Sequence, residues 1–534
     1  MTQDNHQEDE QPTETTPLVA AKSVAVWTVV PALWTGSFMC AVDGTIVSTT
    51  MARIASSMDG SAHVSWIATS YLLTNAAFQP LYGKASDIFG RRTMLCFAQL
   101  TFTLGCLACC LATSVPQFCF ARALAGVGGG GLAALSSIIV SDIVPLHSRG
   151  IFQGYANLMF GVGQMLGGPI GGLCVETIGW RYMFGLQVIP MAVAALLCVR
   201  NVPYFFDDPN RRPGFSRKNF ARVDLAGSAT LAALVTALML LFSGKGSLGL
   251  LTICILLGAL FVFIESRVSE QVVPMRFFRG TLRTTALIAM FGSMTIYACY
   301  FVLPLYLQLI HGMTPAQSGN FNAVGVISLS LGSLLGGALL RTDPSKAHAV
   351  IIRANIVSML STALLIFGSA INLIAISGFA PTIEPRVNWA VLGVLGVGYS
   401  VTGLGYGAFL VSLLVTVVAV VGSKDQAVAT GMNYVFRSIG SVMGVGMTLN
   451  VYTALLTTSL TSYFADVEGG KLLLQKLLAD ATFVRNLDMH YRPDVLAIFD
   501  HSLKMSQGLV VLFAIIACVF GISLGLMKRH KVQS

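Results

Sequence analysis

The chain has 534 residues, of which 54% are hydrophobic and only 11% charged, with a formal net charge of +9 and a mean hydropathy of +0.73. A soluble globular domain carries about 25% charged residues, and a disordered chain lacks this apolar content. Both are excluded, and an ordinary cytosolic enzyme with them.

Apolar runs of the length a bilayer-crossing helix needs, about 20 residues, predict fourteen spans in chain order: 24–49, 63–82, 94–113, 117–141, 150–174, 181–200, 223–243, 248–266, 283–309, 318–340, 349–373, 389–421, 426–457 and 505–527. The first 22 residues are acidic and polar and do not read as a secretory signal. An even span count puts both termini on one side. With the termini inside, 21 of the 33 Lys and Arg residues fall on the cytoplasmic side, 9 on the other and 3 within spans. Basic loops face the cytoplasm, so the positive charge is an orientation signal, and nucleic acid is not an expected partner. The eleven cysteines lie in or beside apolar runs, where they read as core thiols and form no disulfide framework.

The stretch 458–504 is the one long exofacial loop, and Leu473, Leu474, Leu477, Leu478, Ala481 and Val484 recur in it at helical spacing. They predict an amphipathic helix against the membrane or the bundle. The two halves echo one another at an offset of eight spans. Gly83–Arg92 follows span 2 and Gly337–Arg341 follows span 10, while glycine ladders lie in spans 5 and 13. Such repeats mark secondary transporters, with the substrate site at the midplane between the halves. The organisation expected is an acidic tail (1–23), a six-helix half (24–200), a cytoplasmic loop with two extra helices (201–266), a second six-helix half (267–527) and a short tail (528–534).

Asp43, in span 1, is the one carboxylate well inside a predicted span. Burying a lone carboxylate in a bilayer costs at least a few kcal/mol, so it persists where it pairs, holds a proton or meets a cation. Arg122, several residues into span 4, is a candidate partner. Arg437, about 16 Å into span 13 by helical rise, reads as a structural arginine. Gly126–Gly131 matches a dinucleotide-loop pattern formally, but it lies in an apolar helix without the strand that motif requires. It reads as close helix packing. Gly83, Asp87, Gly90, Arg91 and Arg92 form a charged stretch at the cytoplasmic mouth, with the chemistry of a gate. Tyr71, Asn75, Gln79, Asn157, Gln164, Tyr306 and Asn433 are polar candidates for lining a path.

These motifs identify the chain as resembling the major facilitator superfamily, and within it the fourteen-span drug:proton antiporters. Gly83–Arg92 resembles the superfamily signature, with Ala85 and Ile88 as departures. Arg122…Gly126 resembles the span-4 arginine motif, with Ala125 as a departure. Gly163, Gly167, Gly168, Pro169, Gly171 and Gly172 are similar to the antiporter motif of span 5. Asp43–Val47 resembles the span-1 motif, with Ser48 and Ala52 as departures. Trp66–Tyr71, Asp425–Gly440 and Arg149–Asn157 are further similar stretches, the last resembling fungal vacuolar basic amino acid transporters.

The resemblance implies an all-α membrane bundle that exchanges lysine, arginine or histidine for protons at the vacuolar membrane. Asp43 and Arg122 would be the coupling groups, and no metal or cofactor beyond the proton gradient is implied. The partners would be a small cationic substrate, protons and the bilayer. Glu14, Leu18 and Val19 look like an acidic dileucine signal for a sorting adaptor. A plasma-membrane multidrug:proton antiporter and a non-transporting nutrient sensor are the alternatives, and an enzyme is not expected.

Overall fold

The computed structural model describes residues 26–526, apart from 59–63, 205–213, 221, 243–246, 269–270, 272, 275–277, 342–346, 379–387, 423–424, 466, 468–469, 480–482 and 485–486. Glu14, Leu18 and Val19, and both tails, lie outside the described residues. Among the described residues there is no strand.

The helices are α1 Val26–Ser56, α2 Val64–Phe89, α3 Arg91–Leu111, α4 Val115–Ile143, α5 Leu146–Thr177, α6 Trp180–Asn201, α7 Arg217–Phe220, α8 Leu225–Phe242, α9 Leu248–Glu265, α10 Gly280–Leu309, α11 Pro315–Leu339, α12 Ala347–Gly378, α13 Trp389–Val421, α14 Gln426–Tyr463, α15 Gly470–Ala479 and α16 Arg492–Leu526. Fourteen of these, all but α7 and α15, fall on the predicted spans. Thirteen are long and apolar enough to cross a membrane. The remaining one, α2, has 26 residues, about 39 Å at 1.5 Å per residue. Its polar residues, among them Thr74, Asn75, Gln79, Lys84 and Asp87, lower its hydropathy.

The packing repeats. In the first half α1 packs on α5 and α6, α2 on α4, and α3 on α4 and α6. In the second half α10 packs on α14 and α16, α11 on α13, and α12 on α13 and α16. Each pair of the first set has its counterpart in the second. The halves meet through α2 against α14 and α5 against α11, a pair of contacts that the same pseudo-symmetry exchanges. The extra helices α8 and α9 pack on each other, and α8 also touches α2 and α14. Leu251, Ile253, Ile255, Leu256, Val262 and Phe263 of α9 face outward, as a lipid-facing helix requires.

Glycines set the spacing inside the first half. A Cβ at Gly128 would collide with the Phe102 nitrogen, and one at Gly130 would stand 2.6 Å from the Asn75 carbonyl oxygen. The α4 backbone therefore touches α3 on one side and α2 on the other, the close approach that small residues permit in membranes. Gly128→Leu is expected to lose the folded protein, because the obstruction is backbone. Overpacking a well-filled core costs about 1–3 kcal/mol even where side chains can yield. Size-exclusion chromatography of the purified variant checks it: aggregate in place of a monodisperse peak is expected.

The structure shortens the long loop. Predicted as 458–504, it spans only 464–491, because α14 runs on to Tyr463 and α16 begins at Arg492. Arg492, Asp494, Asp500, His501 and Lys504 lower the hydropathy there. Yet Val495, Leu496, Phe499 and Leu503 are buried along one face of α16, and Lys504 pairs with Asp500 at 2.5 Å one turn away. Asp43 is thus not the one carboxylate inside a helix of the bundle. Within the shortened loop, α15 caps the second half. Leu477 is buried together with Val484 and Leu487, in the cluster that contains Leu456, Leu460 and Phe499. Of the two surfaces predicted for this amphipathic helix, the one it covers is the bundle.

Candidate functional site

Asp43 and Arg122 face each other in the core of the first half. Arg122 Nη1 donates to both carboxylate oxygens of Asp43, at 2.9 and 2.7 Å. The two side chains are 0% and 1% exposed, so the pair is sealed. Its lid is aromatic and sulfur-lined: the guanidinium lies 4.4 Å from the centre of the Tyr71 ring, and the Tyr71 hydroxyl bonds Cys40 at 3.0 Å. Arg122 Nε has no hydrogen-bond partner. Each buried charge is answered by the other, so that neither stands uncompensated in a low-dielectric interior.

The antiporter-like glycines seat this pair. A Cβ at Gly163 would stand 2.6 Å from the Phe38 carbonyl oxygen, and one at Gly167 would stand 2.7 Å from that of Val42. They let α5 lie on the stretch of α1 that carries Asp43. Gly168, Pro169 and Gly171 continue the same helix. Gly172 has open space where a Cβ would be.

The charged stretch after span 2 is mostly helix rather than loop. Gly83–Phe89 are the last turns of α2, and only Gly90, at φ 97°, breaks the path into α3. There Arg91 gathers three partners: Nη1 donates to Asp87 Oδ1 at 2.5 Å and Ser86 Oγ at 2.7 Å, and Nε donates to Asp142 Oδ2 at 2.8 Å. Arg92 takes no part in this latch and instead lies 4.6 Å from the Tyr204 ring. Asp142 extends the latch across the halves. Its Oδ1 accepts from Gln426 Nε2 at 3.0 Å, and Gln426 Oε1 accepts from Arg149 Nη1 at 3.2 Å. Gly83 lies against the Ala427 carbonyl. Asp142, Arg149 and Gln426 were not among the sequence candidates for the gate. Asp142 lies one residue beyond the predicted span 117–141, and only the fold brings Gln426 to it.

Further bonds sew the same seam. Asn157 donates to Ser333 at 2.8 Å, Ser438 donates to Gln79 at 2.8 Å, and the Ser137 and Tyr434 hydroxyls meet at 2.5 Å. Asn75 lies against Gly129 of α4, Asn433 is buried with its Oδ1 unpartnered, and Gln164 is half-buried on α5. Tyr306 stands apart, enclosed in the apolar cluster of the second half beside the His311 ring. No group of three or more His, Cys, Asp or Glu side chains that could hold a metal exists among the described residues.

Two helical halves with matched packing, joined by a polar seam and holding a buried ion pair, define a membrane transporter of the two-half, repeat-built class. The family model described as Major Facilitator Superfamily matches residues 33–445, and the chain belongs to that family; it is a transporter and not an enzyme. It is 39% identical over 447 residues to vacuolar basic amino acid transporter 1 of Saccharomyces cerevisiae, covering 81% of this chain and 78% of that one. It is 33% identical over 506 residues to multidrug resistance protein fnx1 of Schizosaccharomyces pombe, covering 92% and 91%. The fold is similar to the crystal structure of the human organic anion transporter MFSD10, with a TM-score of 0.58 and 15% identity, over 92% of this chain and 99% of that one.

Proposed function

We propose that the protein is a proton-coupled antiporter that moves lysine, arginine and histidine from the cytoplasm into the vacuole. The observation that carries this reading is the sealed Asp43–Arg122 pair, a carboxylate held by a permanent cation inside the bundle. The 39% identity to a vacuolar basic amino acid transporter supports the substrate class. With both termini cytoplasmic, the end sealed by Arg91, Asp142, Gln426 and Arg149 is the cytoplasmic one. A luminal proton that reaches Asp43 neutralises it, loosens its hold on Arg122 and favours the rearrangement that opens the Arg91 end. Loss of that proton to the cytoplasm restores the carboxylate and its attraction for a cationic substrate. The halves, 24–200 and 267–527, rock about the seam. A pH difference of about 2 units supplies roughly 2.7 kcal/mol per proton, which sustains about 100-fold accumulation for one-for-one exchange. Glu14, Leu18 and Val19 are proposed to direct the protein to the vacuole through an adaptor.

The identity to a multidrug resistance protein over 92% of the chain favours a second reading, drug export at the plasma membrane. Labelled lysine and arginine uptake by acidified vacuolar vesicles separates the two. Gradient-dependent uptake that vanishes in vesicles from a deletion strain is expected. Unchanged amino acid uptake together with lost drug tolerance in that strain would replace the first reading with the second.

A further inference from the structure

Arg437 is a buried-segment cation with no anion. It lies eleven residues into α14, about 16 Å along a core some 30 Å thick. Its neighbours are three tyrosines on three helices. The guanidinium stands 4.8 Å from the Tyr434 ring, bonds the Tyr406 hydroxyl of α13 and sits beside Tyr297 of α10. The Tyr406 hydroxyl also meets Ser293 at 3.0 Å. No carboxylate among the described residues pairs with Arg437, and its Nε is buried without a hydrogen-bond partner. Arg122 is sealed by Asp43, whereas Arg437 keeps an accessible face.

A cation near the bilayer centre costs at least a few kcal/mol, and hydroxyls and ring faces do not cancel its charge. The position is also central to the molecule. Tyr434, one turn before it, bonds Ser137 of the other half, and Ser438, the next residue, bonds Gln79 of α2. Asn433 is four residues back and so shares the face of Arg437. Its buried Oδ1 has no donor. A guanidinium with no carboxylate to pair with among the described residues, beside an amide oxygen with no donor at the meeting of two halves, matches a carboxylate beside an ammonium group. Arginine binds carboxylates with two parallel hydrogen bonds.

We propose that Arg437, backed by Tyr297, Tyr406 and Tyr434, receives the α-carboxylate of an amino acid substrate, and that Asn433 accepts from its α-ammonium. This rests on the amino acid reading above and assigns its specificity. The selected substrate is then an amino acid and not merely a cation.

Competition for labelled lysine uptake in vesicles tests it, with unlabelled lysine and cadaverine, its decarboxylated counterpart, as competitors. In the wild type, cadaverine is expected to compete at least ~10-fold more weakly than lysine. Arg437→Gln is expected to raise the KM for lysine at least ~10-fold, leave the potency of cadaverine unchanged and close the gap between them. Arg437→Lys keeps the charge that a purely structural role needs but loses the fork, and should narrow the gap at least ~3-fold. It carries the test alone if the glutamine variant fails to reach the membrane. Equal competition by cadaverine in the wild type, or a gap unchanged in the variants, overturns the proposal while lysine uptake itself stands. Absence of lysine uptake by the wild type overturns the transport reading and this one with it.

Discussion

Asp43→Asn is expected to reduce the accumulation of lysine or arginine from about 100-fold to near unity under a pH difference of about 2 units. The amide keeps the shape of the carboxylate but neither binds a proton near neutral pH nor balances Arg122. Arg122 and Asp43 are 1% and 0% exposed, so the substitution leaves a buried cation uncompensated. Breaking one partner of a buried pair costs about 3–5 kcal/mol. The single variant therefore combines loss of coupling with loss of stability. Asp43→Leu with Arg122→Met separates them, because replacing a buried pair by apolar residues of similar volume is often neutral for stability. The double variant is expected to melt close to the wild type and still fail to accumulate substrate. Recovery of gradient-driven accumulation in the double variant would remove the pair from the coupling mechanism. Melting by intrinsic fluorescence and uptake measured on the same preparation read both quantities.

Gln426→Ala is expected to loosen the seal at the Arg91 end. Among the described residues, Gln426 is the one side chain that bonds both Asp142 and Arg149, both on the opposite half. A hydrogen bond to a charged group contributes about 1.5–3 kcal/mol, so losing this bridge shifts the closed state by roughly 10- to 150-fold relative to the open one. Hydrogen–deuterium exchange reads the shift. Amides at 87–92, 146–150 and 426–431 should exchange at least ~10-fold faster, because they sit on the two lips of the seal. The amides around Tyr306, inside the apolar cluster of the second half, should not change. Unaltered exchange at the lips would show that helix packing closes this end without the polar bridge. That packing is itself tight, since Gly150 and Gly154 press against Gly337 and Ser333.

These two sites differ in how far the sequence exposes them. Asp43 and Arg122 are conspicuous because charge is rare in apolar spans, and a pair is the cheapest solution to two buried charges; the structure joins them at 2.7 Å. Arg91 and Asp87 are readable as an i, i+4 pair. Asp142 and Gln426 are not. They lie 284 positions apart and meet only because the end of α4 and the start of α14 come together at the seam. Helix ends were hidden wherever polar residues begin a buried helix. The first turns of α16 carry Arg492, Asp494 and Asp500 and resemble a loop in the sequence, although the apolar face of Val495, Leu496, Phe499 and Leu503 continues through them. Arg437 shows the opposite limit: depth in a span does not show whether a buried cation has a counter-ion. The structure supplies tyrosines where a carboxylate would be needed.

Proton movement is the most direct measure of antiport. Purified protein is reconstituted in liposomes with an acidic interior and a trapped pH dye, and arginine is added outside. Arginine entry accompanied by a rise in internal pH, absent from liposomes carrying Asp43→Asn, is the expected result. Arginine entry with no change in internal pH, or the same proton release with Asp43→Asn, would contradict proton exchange through Asp43.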